Sequence, residues 1–236
     1  MLSFLYLVVL ALLIAIYVTL IFFLKDFKNV MITNIVFVSL IVTCYLLVVI
    51  IAYIQNGPND WNFLNTLPTA NVSPFMFATL PIFFLLPKRI RKYHALLISL
   101  LSVGMFLSPT IGCIHNFAIG YKFHGQFVLN YVSHFALSLW GIYLIHSRQT
   151  ELNIKNALIS GSIIVTVAII MMIINVIADT TFFGLSLNGK HSIYNQRIVE
   201  NSFVSALLYF LGLIVVLIAG FFYQKLILFL KSKKEA

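Results

Sequence analysis

The chain has 236 residues, of which 61% are hydrophobic and only 9% charged, with a formal net charge of +9. That leaves too little polar surface to keep a globule of this size in water, so a soluble enzyme or a free nucleic-acid-binding domain is excluded. A spanning β-barrel would show short alternating segments, and none is visible.

A helix crosses about 30 Å of hydrocarbon with roughly 20 apolar residues. Seven stretches approach that length, at 2–24, 30–54, 73–87, 95–114, 128–146, 157–178 and 202–230. The expected fold is therefore all-α, a polytopic transmembrane bundle of seven spans forming a single membrane domain over 1–236. The first stretch follows no basic n-region and is too long for a signal peptide, so it is read as a helix. The third is short and carries Pro74 and Pro81, with Pro87 at its end. It is expected to start earlier or to kink where a proline removes a backbone hydrogen bond.

The basic residues sort by gap. Lys25 and Lys28 follow the first span; Lys88, Arg89, Arg91 and Lys92 follow the third; Arg148 and Lys155 follow the fifth; Lys225, Lys231, Lys233 and Lys234 close the chain. Lys122, Lys190 and Arg197 alone belong to the other side. Cytoplasmic loops are enriched in Lys and Arg, so the predicted orientation is N-terminus outside and C-terminus cytoplasmic. The charge belongs to a membrane face rather than to a nucleic-acid site, and membrane lipids are the expected partners.

With that orientation, polar residues inside the spans gather toward the outer side. Ser73 opens the third span, Ser108, Thr110 and Cys113 close the fourth, Ser133 and His134 lie two turns into the fifth, and Asn175 and Asp179 end the sixth. The inner half looks like hydrocarbon relieved mainly by Asn34 and a few Ser and Thr. Polar groups in lipid are costly unless they face the bundle interior, so these ends imply an outward-facing pocket, with His134 as its reactive member and Asn71, Ser108, Asn175 and Asp179 in its lining. The alternative is a buried histidine that only holds helices together.

Two outer loops complete the picture. QNGPNDWNFLNTLPTANV reads as a folded loop with Trp61 at headgroup level, and Asn188-Gly189 in the next outer loop reads as a hairpin turn. Cys44 and Cys113 sit inside spans and have no metal-ligand spacing, no pair of outer histidines lies one turn apart, and neither a metal nor a cofactor is expected.

The order of LNTLPTANVSPF, LLSVGMFLSPTIG, LNYVSHFALSLWGIYL and INVIADTTFFGLSL resembles the bacterial YwaF-like integral membrane proteins over residues 60–215. The resemblance implies about seven spans and a bacterial plasma membrane. It also implies a distant similarity to eukaryotic lipid acyltransferase-like proteins, in which a cysteine at the start of the third span acts with a fifth-span histidine. His134 matches that histidine. Ala70 stands where the cysteine would be, and Pro68 where the bacterial pattern tends to place a histidine. Thr69, Ser73 or Cys113 would have to serve as the partner, through a hydroxyl or thiol whose proton His134 accepts.

Three functions follow as expectations: a site that binds or carries a lipid or small solute, a lipid acyltransferase or hydrolase using His134, and a structural or regulatory membrane protein. A Walker motif, a nucleotide loop and a mid-membrane lysine in the last span are all absent, which disfavours ATP-driven and rhodopsin-like chemistry.

Overall fold

A computed structural model of the protein describes residues 3–24, 27–58, 64, 66–67, 72–178 and 202–235. The described residues form eight helices and no strand: α1 (Phe4–Phe23), α2 (Val30–Asn56), α3 (Val72–Thr79), α4 (Ile82–Leu85), α5 (Lys88–Ala118), α6 (Gly125–His146), α7 (Ile154–Ala178) and α8 (Ser202–Glu235). Six of them, α1, α2, α5, α6, α7 and α8, are long and apolar enough to cross a membrane, the make-up of a multi-pass membrane protein.

The expected third span is instead two pieces. Residues 73–87 fold as α3 and α4, separated at Leu80–Pro81, and neither is long enough to span. Pro81 has no N–H to continue the helical ladder, so α3 ends and Pro81 becomes the residue before α4. Thr79 Oγ1 turns back to donate to the carbonyls of Phe75 and Met76, at 2.9 and 3.1 Å. A second helix exceeds its expected bounds. With 31 residues, α5 is about 46 Å long, and it takes in the whole KRIRK run because Lys and Arg are good helix formers and Pro87 makes a natural start.

The bundle is built around α6, which is buried from Tyr131 to Ile145 apart from Val132. Its tightest neighbour is α5. A Cβ on Gly141 would lie 2.9 Å from the Ile98 carbonyl oxygen and 3.1 Å from the Ser99 Cα, so only glycine lets the two backbones meet. Helices α1 and α2 pack on other sides of α6, while α7 and α8 pack on α5.

Cross-helix bonds set the register. Asn34 near the start of α2 meets Trp140 and Gln149 at the end of α6, Tyr143 donates to the Phe27 carbonyl after α1, and Gln224 of α8 meets Ser99 and Ser102 of α5. The end of α1, the starts of α2, α5 and α7, and the ends of α6 and α8 therefore lie together, and Lys28, Lys88, Arg89, Lys92, Arg148 and Lys155 gather there. We call this the basic end.

Candidate functional site

His134 sits nine residues into α6, about 13 Å from its first turn, and is 6% exposed. Its Nδ1 lies 2.7 Å from the carbonyl oxygen of Asn130, one turn back in the same helix. A carbonyl can only accept, so Nδ1 carries the hydrogen. In the neutral ring Nε2 is then a bare lone pair. Nε2 has no hydrogen-bond partner among the described residues.

What covers the imidazole is the broken segment. The Phe77 ring of α3 stands edge-on to it, centroids 5.0 Å apart at 87°. One turn earlier on the same side of α3, Ser73 Oγ points to Met105 Sδ of α5 at 3.6 Å. From above, Tyr45 of α2 packs on Phe77 and donates to the carbonyl of Thr66 at 2.8 Å. The chain before α3 thus reaches down to Tyr45 without helical structure at Thr66–Leu67. Non-helical backbone at this depth is tolerated only against protein or a watery cavity, and here the Tyr45 hydroxyl supplies one partner.

The residues expected around His134 separate. Ser73 approaches through α3, and Cys113 is fully buried on α5, where its neighbour Gly112 faces the Tyr131 hydroxyl. Neither is hydrogen-bonded to His134. Ser108 is exposed and turns away, Ser133 is occupied by the Leu129 carbonyl at 2.9 Å, and Asn175 is buried within α7. Thr69, Asn71 and Asp179, together with Trp61 and the Asn188-Gly189 turn, lie outside the described residues. No group of three metal-ligating side chains occurs among those described.

Beyond Asn34 and the serines, the inner half also carries Tyr17, Tyr223 and Gln224. Tyr17 of α1 bonds Ser138 of α6 at 2.7 Å and Tyr223 of α8 at 2.9 Å. Gln224 Nε2 donates to the Ser99 carbonyl at 3.1 Å and to Ser102 Oγ at 2.9 Å, while Ser99 Oγ donates to the Gly141 carbonyl at 2.6 Å. Nearer the basic end, Asn34 takes a bond from Trp140 Nε1 at 2.9 Å and gives one to Gln149 Oε1 at 2.7 Å. In the sequence this belt shows as Asn34, a few Ser and, in the last span, a lone glutamine.

No family model, curated protein or solved structure matches the chain.

Proposed function

We propose that this is a YwaF-like membrane protein that binds a lipid or a small solute in a pocket beside α3, with His134 Nε2 as the hydrogen-bond acceptor for the ligand. The observation that carries the reading is the bond from His134 Nδ1 to the Asn130 carbonyl, which aims the acceptor nitrogen away from its own helix. A histidine kept only to lock helices would bond a neighbouring helix. His134 bonds its own, and the locking is done by Tyr17, Asn34 and Gln224.

The same lone pair suits a general base, and acyl transfer from Ser73 or Cys113 is the chemistry it would serve. Neither group is held by His134, so binding is the better-supported reading. The membrane is a bacterial plasma membrane, with the basic end cytoplasmic. In that placement α3–α4 carries the chain across as a broken seventh crossing, since α2 ends opposite the basic end and α5 begins at it.

Purified protein titrated with a panel of phospholipids, fatty acids and soluble metabolites should show a saturable rise in unfolding temperature for one ligand class. A flat response across the panel defeats the proposal; lipid products that appear with wild type and vanish with His134→Ala would move it to catalysis. Tags at the two termini, probed by protease from outside intact cells, should give opposite accessibility. Equal accessibility would leave six crossings.

A further inference from the structure

We infer that the α5–α8 rim at the basic end is a binding site for the phosphate headgroup of an anionic phospholipid. This does not rest on the ligand reading above.

The register between the two helices is fixed by close contact. Any Cβ on Gly220 would overlap the backbone of Leu100, and Gln224 bonds both Ser99 and Ser102. From there α5 and α8 run antiparallel to the basic end, past a small separate core in which Leu96, Leu100 and Ile145 meet Leu152, Phe221 and Leu228. Helical spacing puts Lys88 and Lys92 on the stripe of Leu96, and Lys225 on the stripe of Phe221 and Leu228.

Two of these lysines run along aromatic faces, in different directions. Lys92 Nζ lies 4.8 Å from the Tyr93 ring centroid, and Lys225 Nζ 5.7 Å from that of Phe221. Phe221 lies one turn farther from the basic end than Lys225, so that charge runs inward, and the cations at headgroup level are Lys88, Arg89 and Lys92. Lys88, Arg89 and Lys225 are exposed, and none of them, nor Lys92, has a carboxylate partner among the described residues. Arg91 is the exception in the run, since its guanidinium is used by backbone carbonyls of the protein.

Beside the cations, Phe222, Leu226, Phe229 and Leu230 of α8 are all more than half exposed. A phosphate diester with two acyl chains complements both parts: its anion sits among Lys88, Arg89 and Lys92, and its chains lie on α8. A soluble polyanion would satisfy the charge and leave that apolar face uncovered.

The test is retention of lipid by full-length protein taken from nanodiscs of phosphatidylcholine and phosphatidylglycerol, counted by native mass spectrometry. Each basic residue near an anionic surface contributes about a fivefold preference. Wild type should keep phosphatidylglycerol over phosphatidylcholine, and Lys88→Gln/Arg89→Gln/Lys92→Gln should lose at least about tenfold of that preference. Lys28→Gln/Arg148→Gln/Lys155→Gln removes three charges from the same end outside the rim and should keep it. No preference in wild type, or equal loss in the two triple variants, overturns the site in favour of diffuse charge. Unfolding temperature is followed for each, and Lys88→Gln/Lys92→Gln replaces the rim triple if that variant does not fold.

Discussion

The indole N–H of Trp140 donates to Asn34 Oδ1 at 2.9 Å, joining α6 to α2 through two buried side chains. Gln149 completes the arrangement by accepting from Asn34 Nδ2 at 2.7 Å. Replacing Asn34 by Leu strands an indole donor in an apolar interior as well as Gln149 Oε1, while Gln149 Nε2 keeps Ser147 Oγ at 2.8 Å. The expected loss is about 1–2 kcal/mol, because stranded buried polar groups are expensive while helix–helix bonds in membranes are individually modest. Trp140→Phe removes one donor, leaves Asn34 paired with Gln149, and should cost less than Asn34→Leu. Unfolding in mixed micelles against detergent fraction measures both. The opposite order would mean that ring packing, not the amide, holds this contact.

Glycines in α8 are not equivalent. Gly220 meets the backbone of Leu100, whereas nothing lies within 4 Å of a Cβ placed on Gly212. Gly220→Ala has to push α5 and α8 apart and is expected to cost about 1–3 kcal/mol or more. Gly212→Ala should be neutral or slightly stabilising, since alanine is the better helix former. Comparing the two unfolding temperatures under one set of conditions isolates the packing effect from helix propensity.

Six long apolar helices were legible because burial in lipid writes itself as length and apolarity, and the gathering of Lys28, Lys88 and Lys155 at one end follows from alternation alone. Side-chain direction was not. Ser108 and Cys113 were grouped by depth, yet five residues turn a helix by about 140°, and the structure has Ser108 exposed while Cys113 is buried. The break at Pro81 was visible as a proline, but where the chain goes next depends on Phe77 and Phe83 finding His134 and Trp140. Gln224 needed partners on α5, which no local pattern supplies.

Arg91 closes the broken segment. Its Nε and Nη2 donate to the Leu86 carbonyl at 3.1 and 2.8 Å, Nη2 also reaches the Phe84 carbonyl at 3.0 Å, and the guanidinium lies 5.6 Å from the Phe83 ring centroid. These are the carbonyls that α4 leaves unsatisfied at its C-terminus. Arg91→Gln is expected to cost about 1.5–3 kcal/mol, the range for hydrogen bonds to a charged group. Arg91→Lys should recover less than half, because one ammonium cannot match a planar fork that serves two carbonyls and a ring. Full rescue by lysine in thermal unfolding would show that charge alone closes the segment.

Two amides divide the work of the His134 ring. In His134→Asn the side-chain nitrogen falls near the position of Nδ1 and can keep the bond to the Asn130 carbonyl; in His134→Gln the terminal group falls near Nε2 and gives that bond up. If Nε2 is the ligand acceptor, His134→Asn should hold stability within about 0.5–1 kcal/mol, the net worth of one such bond, and lose ligand-dependent stabilisation. His134→Gln should be the less stable of the two and retain part of the ligand response, since its amide oxygen can still accept. The two readouts, unfolding without ligand and the saturable rise with it, must therefore rank the variants in opposite order. The same order in both would mean that His134 contributes only through the Asn130 carbonyl and its edge-on contact with Phe77.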